Sequence, residues 1–163
     1  MSDQHRIALF NSSLEAGVRS LAILVAAYPE SYDLQRVVEM DYLVVHSGDV
    51  GGPDSLHAPL PLRAGELLVR QGLIEKGLLL MLSRGLVSRV QDESGFIYIA
   101  AEPAAPFISS LTAIYSRRLV VCAQWAVDHF AEISTEEVRK ITHRFFERWG
   151  SQLAAGQQPG GSS

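Results

Sequence analysis

Cysteine is nearly missing from this chain: Cys122 is the only one among 163 residues. No internal disulfide can form, which fits a reducing cytoplasm. A basic excess is missing too. Fourteen Lys and Arg stand against eighteen Asp and Glu, for a net charge of −4. Non-specific nucleic-acid binding by sheer basicity is therefore excluded, although a local patch could still serve. Long apolar runs are absent. The longest, residues 21–28, falls far short of the roughly 20 residues that a spanning helix needs. Residues 1–6 show no basic region leading into an apolar stretch, so no secretory leader is expected. The expectation is a cytoplasmic protein without a membrane segment.

Signatures of catalysis are lacking as well. There is no G-x-S-x-G elbow and no HExxH pair, and Gly51-Gly52 lacks the Lys and Ser of a phosphate loop. Cys122 lies in a helical apolar pattern with no evident base, so it reads as a buried small hydrophobe. No catalytic residue, cofactor or metal is expected. What the chain does have is apolar content: 47% hydrophobic and 20% charged residues place it among globular proteins. Its length suits one domain, expected over residues 1–153, with a low-complexity tail over 154–163. So much apolar residue without a membrane span implies a well-filled core or a surface that docks on a partner.

Helix signals open the chain. Ser12 and Glu15 have capping-box spacing, and Leu14, Val18, Leu21, Val25 and Tyr28 recur as one stripe on a helix ending before Pro29. Asp33 caps a second helix to about His46, with Val37, Met40, Leu43 and Val44 facing in. Later, residues 64–71 read as a short helix, Gly72 as a turn, residues 73–84 as a second helix, and Gly85 as its left-handed C′ residue. Residues 86–90 and 96–100 read as two strands around a turn at 91–95. Helix, turn, helix and hairpin is the order of a winged helix. Pro103 and Pro106 open a long helix over about 107–132. Ser134 and Glu137 form a second capping box for a final helix bearing Val138, Ile141, Phe145 and Trp149 and ended by Gly150. The fold class expected is mainly α: a winged helix-turn-helix with a two-stranded wing, plus N- and C-terminal helices.

A winged helix suggests DNA, yet the would-be recognition helix carries only Glu75 and Lys76 early, followed by five apolar residues in a row. Such a helix is apolar nearly all round and should be buried on both sides. A second candidate for DNA or an acidic partner is the row Lys140, Arg144 and Arg148, which four-residue spacing puts on one flank beside His143. Most such rows are only solvated faces.

The strongest oddity is the run from His46 to Leu62. Three glycines and three prolines deny it regular structure, while two histidines and two aspartates supply more chemistry than a connector needs. Structureless loops this long are usually functional or disordered. His46, Asp49, Asp54 and His57 could in principle ligate a metal, but their spacing matches no motif of known geometry. Turn-making Asp and Ser, with His46 capping the preceding helix, are the commoner use of such residues.

Phe10-Asn11-Ser12, Tyr32-Asp33-Leu34-Gln35, Asp41-Tyr42-Leu43 and His46-Ser47-Gly48-Asp49 stand in that order along the chain. Pro53-x-Ser55-Leu56-His57-x-Pro59, Arg63-x-Gly65-Glu66-Leu67-Leu68 and Trp149-Gly150 follow. Together they resemble the middle component of bacterial ABC-three-component systems over about residues 10–153. Ala58 is a departure, where relatives are expected often to carry a second proline. The resemblance implies a small non-enzymatic subunit encoded between an ABC/SMC-like ATPase and an effector, in prokaryotic conflict modules related to the Lamassu type. The expectation is therefore an adaptor docking the SMC/ABC-type ATPase and coupling its DNA sensing to the effector. His46, Ser47, Asp49, His57, Arg63 and Glu66 are expected at the contact, with Asp49 and Glu66 able to make charge-assisted bonds. The alternative is a winged-helix DNA-binding regulator; a metal-dependent hydrolase is a third class.

Overall fold

The computed structural model describes residues 12–57 and 64–156, including side chains except those of 64–67, 146 and 148–156. Helices α1 (Ser13–Ala27), α2 (Leu34–Val45), α3 (Ala64–Ser83), α4 (Ala104–Ser110), α5 (Ile114–His129) and α6 (Thr135–Gly156) make up most of it. Strands β1 (Tyr32–Asp33), β2 (Val87–Asp92) and β3 (Gly95–Ala100) form a small antiparallel sheet in the order β1–β3–β2. Three helix starts follow their expected caps. Ser12 Oγ accepts from Glu15 N at 3.2 Å, Asp33 Oδ1 from Arg36 N at 2.7 Å, and Ser134 Oγ from Glu137 N at 3.2 Å.

Helix α1 is the centre. It packs against α3 and α5, and also meets α2, α4 and β3. Being enclosed, it does not bury the expected stripe alone. Leu14 and Tyr28 are exposed, whereas Ala16, Gly17, Arg19, Ser20 and Ala22 are buried with Leu21, Ile23 and Leu24. The small residues mark where neighbours approach, a signal that hydrophobic periodicity overlooks. At Gly77 of α3, a Cβ would fall 2.7 Å from both Gly17 Cα and Ser13 O, so α1 and α3 cross backbone against backbone.

That helix is one continuous element, which corrects the expected helix-turn-helix. Gly72 stands inside it with nothing within 4 Å of a built Cβ. A mid-helix glycine costs about 1 kcal/mol relative to alanine, too little to break a helix anchored by its crossing with α1. The winged-helix assignment is accordingly not confirmed. Nor is α3 buried on both sides. Ile74, Leu78 and Met81 turn inwards, while Leu68, Val69 and Leu79 are exposed.

Gly85 does close α3 in the left-handed region, at φ +71°. Gly85 N bonds Leu82 O at 3.1 Å and Leu86 N bonds Met81 O at 3.0 Å, the paired closure of a Schellman cap. The hairpin is tighter than expected, because Asp92 Oδ1 accepts from Ser94 N at 2.8 Å and Gly95 takes φ +125°. The third strand, in which Tyr32 pairs with Tyr98, went unread because two residues carry no periodicity.

The expected 107–132 helix is two helices, α4 and α5, with extended backbone at Leu111 between them. Ser110 Oγ donates to Phe107 O at 2.6 Å, a local bond that competes with continuing the helix. Conversely, α6 runs through Gly150 to Gly156, so Gly150 does not end it and residues 154–156 are helical rather than tail; 157–163 lie outside the described residues. Val138 and Thr142 bury the inner side of α6 against α2, where Thr142 Oγ1 donates to Glu39 Oε2 at 2.9 Å. Arg36 of α2 donates to the carbonyls of Ile133 at 2.6 Å and Phe130 at 2.7 Å, closing the α5–α6 turn.

Candidate functional site

Residues 46–57 form a compact corner that leaves α2 and folds back onto α5. A single 3₁₀ turn, Ser47–Val50, is ended by Gly51 at φ +87°. The chain then returns to its own start: Leu56 N and His57 N both bond Val45 O, at 3.0 and 3.3 Å. Closing both ends on one residue is the arrangement of an Ω-loop. Inside it, Ser47 Oγ donates to Pro53 O at 2.8 Å and Gly48 N to Ser55 Oγ at 3.0 Å.

Helix α5 supplies the outer clamp. Arg118 Nη2 donates to Ser55 O at 2.9 Å and Asp54 O at 3.3 Å. Cys122 Sγ lies 3.4 Å from Ser47 Oγ and 3.8 Å from Asp54 O, so the buried cysteine also helps hold the loop. Gly52 lies against the Trp125 indole, and a Cβ there would stand 2.7 Å from ring carbons. Only glycine lets the loop lie this close. The loop whose glycines and prolines deny it regular structure is ordered over its described part by the bonds that Ser47, Ser55 and Arg118 make.

The expected contact residues divide. His46, 3% exposed, is the C-cap of α2 and tilts against the Tyr42 ring at 4.9 Å. Burial, helped by Arg70 and His57, pushes its imidazole down to about 3, so it is neutral at physiological pH. Ser47 is wholly buried. Both therefore build the loop in this conformation instead of offering a surface. Asp49 is exposed, with its carboxyl pushed up by partial burial. His57 is half-buried, its Nε2 lying 3.1 Å from Tyr115 Oη and 3.8 Å from Glu15 Oε1. Arg63 and the side chain of Glu66 lie outside the described residues, as does the side chain of Arg148.

Lys140 and Arg144 are exposed on α6, but their surroundings are mixed in sign. Lys140 Nζ is 3.8 Å from Glu137 Oε1, and Glu136 and Glu147 line the same shallow depression. Arg139 and His143 lie in the same depression, so the described part of the row is a basic strip flanked by acidic residues at both ends. Among the described residues no three His, Cys, Asp or Glu side chains are grouped as metal ligands.

Behind the loop lies an assembly that sequence reasoning missed. Asp41, fully buried on α2, accepts from Arg19 Nε at 2.7 Å and from Arg70 Nη2 at 2.8 Å. Burial alone would raise the Asp41 carboxyl, but the two guanidinium groups outweigh it and hold it at about 2. For Arg19 burial works downward, and the Asp41 carboxylate more than offsets it, so the guanidinium stays charged. Arg19 Nη1 continues to Glu15 Oε1 at 3.5 Å, and Glu15 leads on to His57. Burial, with the neighbouring Glu15, raises the Tyr115 phenol, which stays protonated. The chain of charges thus ties α1, α2, α3, the loop and α5 together. Its signal in the sequence was present: Arg19 and Asp41 each interrupt apolar periodicity with opposite signs.

These polar groups satisfy one another inside the molecule rather than converging on an open cleft. The arrangement makes a rigid base for a presented loop. The family described as ABC-three component (ABC-3C) system Middle Component 2 has a model that matches residues 9–152. No curated protein and no solved structure gives a significant match.

Proposed function

The chain belongs to the middle component 2 family of ABC-three-component systems, and on that premise we propose that it is a non-catalytic adaptor bridging an SMC/ABC-type ATPase and an effector subunit. The observation that carries the reading is the Ω-loop. It is clamped from both sides and seated on a buried ion network, yet it keeps Asp49 and Asp54 exposed. A loop immobilised in this way presents polar groups without the ordering cost of a flexible segment, which favours recognition of a protein surface. The relation to Lamassu-type defence and the cytoplasmic location belong to the same proposal. A helix of the described residues long and apolar enough to cross a membrane does not occur.

DNA binding by the chain itself is the weaker reading, since it would need the turn that α3 lacks or the basic row that Glu136, Glu137 and Glu147 dilute. Purified ATPase and effector components, mixed with and without this chain and sized by light scattering, test the bridge. The expected outcome is a complex of all three that the two partners do not form alone. Assembly of ATPase with effector to the same extent in its absence contradicts the bridging role.

A further inference from the structure

Beside the loop, the outward face of α5 keeps large apolar side chains in water. Ile114 is 80% exposed and Val121 57% exposed. Spacings of three, four and seven place Ile114, Arg117, Arg118 and Val121 on one face of the helix. Pro53 and Asp54 of the loop wall this face on one side, enclosing a groove of about 370 Å³ over Cys122. An apolar floor at a surface is expensive to leave uncovered and marks a contact site.

The charge at the rim says what covers it. Arg118 is held by the carbonyls of Asp54 and Ser55, so its guanidinium is fixed before any partner arrives. Arg117 has no ion-pair partner among the described residues. Two guanidinium groups against the single Asp54 carboxylate make the groove locally positive in a chain of net charge −4. A wider cleft of about 800 Å³ elsewhere is lined by Glu30, Asp33, Asp92 and Glu132, so an acidic partner is repelled there and drawn here.

We infer that this groove receives an amphipathic helical segment of a partner subunit, with large apolar side chains on one face flanked by Asp or Glu. The apolar side chains cover Ile114 and Val121, and the carboxylates meet Arg117 and Arg118 in charge-assisted bonds. A second copy of this chain fits less well, because a two-fold contact would set Arg117 and Arg118 against their own equivalents. Nucleic-acid phosphates would answer the two guanidinium groups but leave Ile114 and Val121 without an apolar face to pack on.

The inference rests on the adaptor reading, and its test separates the two. The probes are the ATPase and effector components of the same system, each co-expressed with the tagged chain. Wild type is compared with Ile114→Glu/Val121→Glu and with Arg117→Glu, all solvent-facing changes whose folding is checked by circular dichroism. The expected result is that one component binds wild type and that each variant weakens it by roughly tenfold or more. A photocrosslinker at position 114 then maps to a carboxylate-flanked helix of that component. Unchanged binding by both variants overturns the inference and leaves the adaptor role standing. A crosslink to a basic segment, a strand or a second copy of the chain overturns it as well. Failure of wild type to bind either component overturns the adaptor reading and the inference with it.

Discussion

The Asp41 centre and the loop–α5 corner are built in opposite ways. At Asp41, a buried carboxylate, the buried Arg19 and the half-buried Arg70 answer each other at 2.7 and 2.8 Å. At the corner, the bonds are chiefly neutral ones to backbone carbonyls, the close approach is a glycine on an indole, and Gly48, Asp49, Asp54 and Arg118 face solvent. The first arrangement costs much to break and offers nothing to a partner. The second is cheaper to break and offers a shaped surface. Stability and presentation are thus assigned to adjacent regions, with His46, His57 and Glu15 on the seam.

The contrast breaks most sharply at Asp41. Replacing it by alanine leaves Arg19 charged in the interior and Arg70 without its carboxylate, and about 3–5 kcal/mol of stability is expected to be lost, read as a lower urea midpoint. Acid gives the next effect. His46 is held down to about 3 when folded against about 6.5 when unfolded. Its contribution is therefore complete above about pH 6.5 and lost as pH falls towards 3, because the unfolded state takes up the proton first. Wild type should lose about 2.5 kcal/mol between roughly pH 6.5 and 4.5, and His46→Gln should flatten that slope. Asp41, held at about 2, adds a further loss only below about pH 4.

At the corner, Gly52→Ala drives a methyl into Trp125 and is expected to cost about 1–3 kcal/mol, with a changed indole fluorescence that Asp41 variants below their unfolding midpoint do not show. The smallest effect belongs to α6. Removing Lys140 and Arg144 together should shift stability by no more than about 0.5 kcal/mol, since both are exposed.

Much of the frame was legible in local chemistry. The caps at Ser12, Asp33 and Ser134, the left-handed Gly85 and the hairpin all depend on residues within a few positions of one another. The rest depends on what lies across the fold. Gly72 and Gly77 look alike in the sequence, yet Gly77 meets the backbone of α1 and Gly72 meets nothing, and the helix runs through both, so neither makes a turn. In the loop, the glycine and proline content excluded a long helix or strand. Which side chains face out was hidden, because His46 and Ser47 are drawn inwards by Tyr42, Pro53 and Cys122 from three separate elements.

The most direct measurement of the loop–α5 corner as the docking surface is hydrogen exchange on the chain alone and in complex with the component it binds. Slowed exchange concentrated in residues 47–56 and 114–121, with the α1–α3 crossing unchanged, is the expected result. Slowed exchange confined to α6 or the β2–β3 hairpin, with the corner exchanging as in the free chain, would contradict it.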